Sequence, residues 1–459
     1  MPNTPEFVAT HVGSQTIGGG ITSDRYELDV PLDWFDQSSS SSSDTGTIVV
    51  SYRVVRGESS AEDKYIVYLQ GGPGFASPSP TAASSGWMKA ALDKKYSVVL
   101  FDQRGTGFST AISCRSLEAV GSAADQAAYL KHFRAPSIIR DLEAVRQALG
   151  VSTWTTLGQS YGGFLTFSYL SANPEALKAS MVTGGIPPCP EMGMSADVVY
   201  ASTFKRVVRQ NQKFNDRFPT AAAMARRVVE HLSEQEGGGV VTPAGNLLTP
   251  RSFQLLGLSC MGFSGGFEKL FAMLEAAFET DGVLSYAFLK EFDHTLAFDT
   301  NPIYAVLHES IYCSGGGATN WAADRIRSSP EYHELFDAVH ATAAGKPVMF
   351  TGEMVFPWMF DEIAELRRIK GAAEIIASET EWSTLYDPDK LRSNAVPVAA
   401  AMYYEDMFVD FTLAESTVGM TNGLRTWVTN EHLHCGLREA GAKIFGKLYD
   451  MIEGNELVR

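Results

Sequence analysis

The chain has 459 residues, of which 45% are hydrophobic and 20% are charged, and this composition is typical of a globular protein with a well-buried core. Its formal net charge of −16 argues against nucleic acid or an anionic membrane as a partner. The sequence has neither a run of about 18 apolar residues nor the basic and apolar segments of a secretion signal, so we expect a cytoplasmic protein that does not enter a membrane.

The N-terminal third alternates β-rich runs with turn residues and then with helical patterns. The predicted strands cover residues 26–34, 46–55, 64–70, 96–102, 153–159 and 178–185. The first two are predicted to be antiparallel, and the serine-rich tract between them is predicted to be a mobile loop. Residues 137–150 have helical periodicity that Gly150 is placed to end. Strand, helix and strand in this order predict a parallel sheet with helices packed against it.

About 200 residues of a different character follow, helical in pattern and rich in methionine and aromatic residues. The strand pattern then returns at residues 395–404 and 424–430, and the chain closes on an amphipathic helix. An α/β sheet interrupted by a helical insertion is the simplest organisation. The predicted parts are the N-terminal part of the core at 1–187, a helical cap insertion at 188–393 and the C-terminal part of the core at 394–459.

A serine stands between glycines directly after a predicted strand and before an apolar helix start. Residues 158–162 read G-x-S-x-G, the pattern of a nucleophile elbow. Small flanking residues let strand and helix approach within a tight turn, so that the Ser160 hydroxyl projects at the top of the sheet. A solvated or capping serine is the alternative. The context favours Ser160 as the nucleophile.

A glycine-rich loop follows the predicted strand at 64–70. The N–H groups of Gly71 and Gly72 can line a hollow where larger side chains would obstruct an approaching carbonyl oxygen. In α/β hydrolases one oxyanion donor comes from this loop and the other from the residue after the nucleophile, here Tyr161. A plain β-turn is the alternative. Asp102 and Arg104, after the next strand, are predicted to be buried polar braces rather than catalytic groups.

Three stretches carry a resemblance to a known family. The sequences GGPG at 71–74, DQRGTGFS at 102–109 and GQSYGG at 158–163, in this order and at these spacings, resemble the proline iminopeptidase group of α/β hydrolases. The resemblance extends to the end of the chain and is closer to the larger branch of the group. It implies an α/β-hydrolase fold, a mostly parallel sheet with helices on both faces and a helical cap. It also implies a serine aminopeptidase that releases N-terminal proline from peptides.

A serine hydrolase also needs a histidine that takes the hydroxyl proton and a carboxylate that orients the imidazole. In α/β hydrolases the acid and then the histidine follow the serine. Asp406 matches the family position of the acid best, with Glu405 and Asp410 as rivals. His434 matches the family pattern of a histidine followed by a small residue and a helix, with His432 as its rival.

The same histidine pair could instead bind a metal ion. No third histidine or carboxylate lies at helical spacing nearby, and the H-E-x-x-H motif is absent. The five cysteines are scattered without a C-x-x-C pair, which indicates reduced thiols rather than a zinc site or a disulfide framework. We therefore predict no metal and no cofactor.

An aminopeptidase of this type must recognise a free ammonium group, and a buried carboxylate suits that task. Glu309 and Glu353 stand among aromatic residues of the insertion and resemble positions at which the family binds the amino terminus. Solvated glutamates are the alternative. The aromatic residues near them are predicted to form either a pocket for a pyrrolidine ring or the core of the insertion. They are Tyr304, Tyr312, Phe356, Trp358 and Phe360.

The predicted partner is thus a small peptide with a free N-terminal proline, and the oligomeric state stays open. Another capped α/β hydrolase, an esterase or an amidase, is the alternative within enzymes. An epoxide hydrolase normally has an aspartate at the elbow, and Ser160 speaks against it. A catalytically inactive binding module on the same fold is the alternative from another class.

Overall fold

The computed structural model describes residues 7–36, 46–188 and 195–455. Most of the serine-rich tract and Cys189 lie outside these residues. The strands are β1 (Thr10–Gly18), β2 (Ile21–Pro31), β3 (Thr47–Arg56), β4 (Tyr65–Leu69), β5 (Ser97–Asp102), β6 (Trp154–Gln159), β7 (Leu177–Thr183), β8 (Val240–Val241), β9 (Leu247–Leu248), β10 (Val398–Tyr403) and β11 (Leu424–Thr429).

The helices of the N-terminal part are α1 (Gly86–Asp93), α2 (Cys114–Val120), α3 (Ala123–Lys131), α4 (Ala135–Ala148) and α5 (Tyr161–Ala172). Those between β7 and β10 are α6 (Ala196–Arg217), α7 (Ala221–Glu234), α8 (Pro250–Phe253), α9 (Leu256–Cys260), α10 (Gly266–Glu275), α11 (Tyr286–Thr295), α12 (Pro302–Leu307), α13 (Ala322–Arg327), α14 (Ala338–Ala343), α15 (Met359–Glu362), α16 (Lys370–Ser378) and α17 (Pro388–Arg392). The last three are α18 (Phe411–Met420), α19 (Gly436–Glu439) and α20 (Gly441–Glu453).

Within the described residues one large sheet has the strand order β1-β2-β3-β5-β4-β6-β7-β10-β11. The pairs β1/β2, β2/β3 and β3/β5 are antiparallel. All later neighbours in that order are parallel. The prediction of a mostly parallel α/β sheet is therefore confirmed.

Alternate residues of the central strands face two different layers of helices. In β4, Val67 packs in a hydrophobic cluster with α4 and α5, whereas Ile66 packs in a second cluster with α1 and α20. Every residue of β4 is buried, as are those of β5, β6 and β10. A strand covered on both faces is expected to be apolar almost throughout, and these runs gave the clearest signals in the sequence.

Helix α4 confirms the helical periodicity of residues 137–150. Its apolar face packs on the sheet, and Gly150 follows with a φ of 67°, a left-handed conformation that glycine adopts without a steric penalty. Asp141 of this helix accepts two hydrogen bonds of 2.7 Å from the Arg104 guanidinium, and both side chains are fully buried. The Asp102 carboxylate accepts hydrogen bonds from the backbone N–H groups of Ser77 and Phe108. Asp102 and Arg104 are thus structural braces, as predicted.

Strand β1 was not predicted. It pairs antiparallel with β2 at the edge of the sheet, and nearly all of its residues are exposed. A strand with no buried face has no alternation of polar and apolar residues, so the sequence carries no period-2 signal for it.

The chain leaves the sheet after β7 and returns at β10, which lies directly beside β7 in the sheet. Ser180 of β7 is in register with Val398 of β10, and Thr183 with Ala401. The described residues between these strands are mostly helical, with only the two-residue strands β8 and β9 among them. No helix in the described part of the chain is both long enough and apolar enough to cross a membrane.

Candidate active site

Ser160 occupies the sharp turn between β6 and α5. Its backbone has φ 56° and ψ −125°, a conformation that is rare for residues with a side chain. The turn closes only because its neighbours lack side chains. A Cβ atom on Gly158 would lie 2.3 Å from the Gly162 carbonyl oxygen, and one on Gly162 would lie 1.9 Å from that of Leu69. The strand, turn and helix predicted around Ser160 are therefore present.

A continuous hydrogen-bond chain joins three side chains that are far apart in sequence. His434 Nε2 lies 2.9 Å from Ser160 Oγ, and His434 Nδ1 lies 2.8 Å from Asp406 Oδ2. All three residues are buried. Ser160 comes from the end of β6, Asp406 from the loop after β10 and His434 from the loop after β11, so the carboxyl ends of parallel strands bring them together.

The loop after β10 holds the Asp406 carboxylate firmly. Its second oxygen, Oδ1, accepts hydrogen bonds from the N–H groups of Phe408 at 2.8 Å and Val409 at 3.1 Å. The two rivals for its role have other partners. Glu405 pairs with Arg209 and Lys213, and Asp410 pairs with Arg206, all three of which belong to α6.

His434 also differs from its rival. His432 Nδ1 lies 3.1 Å from the Glu439 carboxylate and is not in contact with Ser160. Burial lowers the pKa of His434, but the adjacent Asp406 carboxylate raises it through its charge and its hydrogen bond, and the net shift of the pKa is upward. Phe408 packs edge-on against the imidazole with 4.8 Å between ring centroids, which fixes the plane of the ring.

The glycine-rich loop after β4 lies against the nucleophile. A Cβ atom on Gly71 would be 2.9 Å from Ser160 Cβ, and Gly72 has a φ of 126°. Tyr161 is the first residue of α5, so its N–H has no acceptor within that helix. The loop and the helix start thus place two backbone segments beside Ser160, and the oxyanion hole of Gly72 and Tyr161 stays a prediction.

A cavity of about 230 Å³ opens onto Ser160 and His434. Its walls combine residues of the sheet loops with residues of the helical segment between β7 and β10. They are Gln70, Gly71, Gly72, Phe75, Gln159, Ser160, Leu258, Ser259, Phe263, Thr295, Ala297, Tyr304, Glu353, Phe408, His434, Cys435 and Arg438.

Glu353 is the one of the two predicted glutamates that reaches this cavity. It is half-buried, and its Oε1 accepts a 2.7 Å hydrogen bond from the Tyr304 hydroxyl. Burial and the nearby Glu353 charge raise the pKa of Tyr304 well above its usual value, so the hydroxyl stays a donor. No hydrogen bond to its other oxygen, Oε2, is formed by the described residues.

Glu309 does not line the cavity. Its two carboxylate oxygens accept hydrogen bonds from the N–H groups of Ala322 at 3.1 Å and Ala323 at 2.9 Å, at the start of α13. Burial raises the pKa of Glu309, and these hydrogen bonds oppose the rise. The prediction that Glu309 binds substrate has no support in this arrangement.

Trp358 also lies away from the cavity. The Trp358 ring stacks on Phe356 with 5.1 Å between ring centroids. The Arg251 guanidinium lies 4.9 Å from the centroid of the Trp358 ring. Five aromatic residues were predicted to form either a pocket or the core of the insertion. Tyr304 lines the cavity, and the other four, Tyr312, Phe356, Trp358 and Phe360, do not. Trp358 belongs instead to the hydrophobic core of the helical segment.

Among the described residues there is no group of three or more histidine, cysteine, aspartate or glutamate side chains that could hold a metal ion. His432 and His434 have separate carboxylate partners, Glu439 and Asp406. The two histidines therefore do not form a joint site.

Comparison with known proteins assigns this arrangement to a family. Residues 64–233 match the family described as having the alpha/beta hydrolase fold. The chain is 43% identical to the proline iminopeptidase of Aeromonas sobria over 432 residues, which cover 94% of this chain and 96% of the relative. This chain belongs to the proline iminopeptidase family.

Two further members of the family differ in how closely they match. A proline iminopeptidase of Aspergillus aculeatus, aneH, is 30% identical over 95% of this chain and 94% of its own. The crystal structure of proline iminopeptidase from Mycobacterium smegmatis covers 89% of this chain at 14% identity, with a TM-score of 0.43, and adds nothing to the assignment. The alignments with the Aeromonas and Aspergillus relatives extend across the helical segment as well as the sheet.

Several cavity residues of this family member were not anticipated from the sequence. Phe75 directly follows the GGPG stretch, and Arg438 follows His434 by four residues, so proximity to the motifs was the available signal. Leu258 and Phe263 come from the region of α9, which no motif marks. Their place in the cavity depends on how the helical segment folds over the sheet, which the sequence pattern does not encode.

Proposed function

We propose that this chain is a serine aminopeptidase that releases N-terminal proline from peptides. The hydrogen-bond chain from Ser160 through His434 to Asp406, open to a cavity that contains Glu353, carries the proposal. Family membership at 43% identity supports the same substrate class. The predicted cytoplasmic location stays a prediction.

The proposed reaction begins at Ser160. His434 Nε2 accepts the hydroxyl proton while Oγ forms a bond to the prolyl carbonyl carbon, and Asp406 stabilises the imidazolium that results. The tetrahedral intermediate then collapses, the C–N bond breaks, and His434 gives its proton to the leaving amine. Water attacks the acyl-enzyme with His434 again as base, which releases proline and restores the Ser160 hydroxyl.

The carbonyl oxygen gains negative charge in both steps. The N–H groups of Gly72 and Tyr161 are the proposed donors, and removal of one such donor typically costs about 100- to 1000-fold in kcat. Tyr161 lies at the N-terminus of α5, where the helix dipole also favours negative charge.

Glu353 is the proposed partner of the substrate's amino group. A prolyl ammonium carries two N–H donors, and the carboxylate can accept from it while Tyr304 holds the other oxygen. Gly71 would bound the substrate on the side of the nucleophile. An acyl group on the substrate nitrogen would remove the charge, so a blocked proline should be a poor substrate.

We also propose that residues 188–393 form a cap over the core parts 1–187 and 394–459. The cavity supports this division, because its walls contain residues of both. The cap would then supply the recognition group, Glu353, whereas the core would supply the reacting groups.

The experiment is a comparison of four substrates with the purified chain. They are the p-nitroanilides of proline, alanine and N-acetylproline, and the p-nitrophenyl ester of a short acid. The prolyl anilide should give the highest kcat/KM, with alanine lower and the N-acetylated substrate near background. Cleavage of the ester alone would favour an esterase, and cleavage of none would favour a binding module.

A further inference from the structure

Arg438 is a cation beside the proposed active site for which the reaction described above gives no role. Its side chain lines the cavity and is exposed. No salt bridge or side-chain hydrogen bond of Arg438 occurs among residues 7–36, 46–188 and 195–455. Its charge reaches the active site: burial raises the pKa of Cys435 and Arg438 opposes this rise, and Arg438 likewise opposes the net upward shift of the pKa of His434.

The carboxylates nearest to it in sequence are already engaged. Glu439 accepts hydrogen bonds from the hydroxyl of Ser264 at 2.8 Å and from the backbone N–H of Ser264 at 3.2 Å. The Glu439 carboxylate also contacts His432 Nδ1. Glu431 pairs with Lys443. Neither of these carboxylates is paired with Arg438, although the net charge of the chain is −16.

The position of Arg438 identifies the part of the substrate that it would meet. His434 must give its proton to the leaving amine, so the residues beyond the scissile bond leave the site past His434. Arg438 is in α19, which begins two residues after His434. Glu353, which would hold the amino end, comes from the separate helical segment.

We propose that Arg438 binds a carboxylate on the leaving portion of the peptide, so that peptides with an anion just beyond the scissile bond are preferred. The carboxylate is either the C-terminus of a short peptide or an acidic side chain. A guanidinium can hold a carboxylate through two parallel hydrogen bonds, which an ammonium cannot. The proposal rests on the proposed function for the direction in which the peptide lies.

The test measures kcat/KM for matched pairs of substrates that differ only in one negative charge. Prolyl-alanine and its amide report on the C-terminal carboxylate. The α-amides of prolyl-glutamate and prolyl-glutamine report on a side-chain carboxylate. In each pair, the kcat/KM for the anionic substrate is divided by the kcat/KM for the neutral one. An effect of a substitution on the catalytic groups that both substrates use cancels in this ratio.

The variants are Arg438→Gln, Arg438→Lys and the control Arg115→Gln. Arg115 is exposed on α2 and does not line the cavity, so its substitution makes the same change of net charge elsewhere. We expect at least one ratio to fall about fivefold in Arg438→Gln, the upper range for an exposed ion pair. Arg438→Lys should keep part of the preference, and Arg115→Gln all of it.

Dissociation constants for the same pairs, measured by calorimetry on Ser160→Ala with and without Arg438→Gln, separate this proposal from the proposed function. Arg438→Gln can leave the anionic-to-neutral ratios unchanged, both for Kd and for kcat/KM, while prolyl-alanine is cleaved; the proposal is then overturned and the proposed function stands. If the Kd ratio depends on Arg438 but no prolyl peptide is cleaved, anion binding stands and the proposed function fails. If the Kd ratio does not depend on Arg438 and no prolyl peptide is cleaved, both are wrong.

Discussion

Ser160 depends on two other residues for its proposed reactivity, because a serine hydroxyl is a weak nucleophile on its own. Members of such a unit act together, so loss of either partner removes most of the rate. The hydrogen bonds of 2.8 and 2.9 Å on the two sides of His434 are the structural basis for this dependence.

The first prediction concerns these side chains. Ser160→Ala and His434→Ala should each lower kcat/KM for the prolyl anilide by at least about a thousandfold, whereas His432→Ala should stay within about tenfold of the parent. Circular dichroism and thermal melting should show that all three variants fold. A larger loss in His432→Ala than in His434→Ala would transfer the role of base to His432.

The second prediction concerns pH. The imidazole must be neutral to take the proton from Ser160. Burial lowers the pKa of His434, but the charge and hydrogen bond of Asp406 together with the charge of Glu353 give a net upward shift. Activity should therefore fall with decreasing pH through a midpoint above about 6.5, the usual value for histidine. The profile of kcat/KM against pH for the free enzyme measures this midpoint. A midpoint below that value would mean that burial dominates.

The third prediction separates the two glutamates. Glu353→Gln removes a charge-assisted contact to the substrate ammonium group and should lower kcat/KM for the prolyl anilide by about 30- to 1000-fold. The neutral ester should be hydrolysed almost as well as by the parent. Equal losses on both substrates would assign Glu353 a structural role.

Glu309→Gln is the matched control. One of its two acceptor oxygens becomes a donor that faces the N–H groups of α13, which should destabilise the fold by about 1–3 kcal/mol. The expected result is a lower melting temperature with a nearly unchanged KM. A large rise in KM would return Glu309 to the substrate site.

At the scale of elements, α6 and the loop that carries Asp406 are joined by several ion pairs. Arg206 Nε lies 2.9 Å from Asp410, and Arg209 and Lys213 lie 2.7 and 2.8 Å from Glu405. The two acidic residues that flank Asp406 thus bind the proposed cap to the loop that positions the catalytic acid.

The fourth prediction tests this connection. Arg206→Ala leaves the buried Asp410 carboxylate without its cation and should lower the free energy of unfolding by about 2–4 kcal/mol. Lys213→Ala removes a half-exposed partner of Glu405 and should cost about 0–1 kcal/mol. Urea denaturation measures both. Similar values for the two variants would show that burial of the Arg206 pair is unimportant.

The elements that the sequence predicted well are those with a buried face. Strand β4 is a continuous apolar run covered on both faces, and helix α4 carries apolar residues at a period of 3.6; these patterns are sufficient to locate them. Strand β1 is exposed and is stabilised mainly by backbone hydrogen bonds to β2, which any sequence can form. Glutamates 309 and 353 looked alike, because the difference depends on a helix start that the fold brings to Glu309 alone.

On the scale of the whole molecule, the proposed active site is assembled from segments that are far apart in the chain. Ser160 precedes the helical segment, Asp406 and His434 follow it, and Glu353 belongs to it. Neither part of the sheet carries a complete set of reacting groups. A deletion between β7 and β10 that includes Glu353 would therefore remove the proposed recognition group without removing any of the three groups proposed to carry out the chemistry.

The pairing of β7 with β10 has a consequence for how the protein folds. These strands become neighbours only when a loop that runs from residue 184 to residue 397 closes, and such distant contacts form slowly. The helices of that loop make many local contacts and can form earlier. After dilution from denaturant, far-ultraviolet ellipticity should recover before hydrolysis of the prolyl anilide. The time at which enzymatic activity returns would then report when the last long-range step of folding is complete.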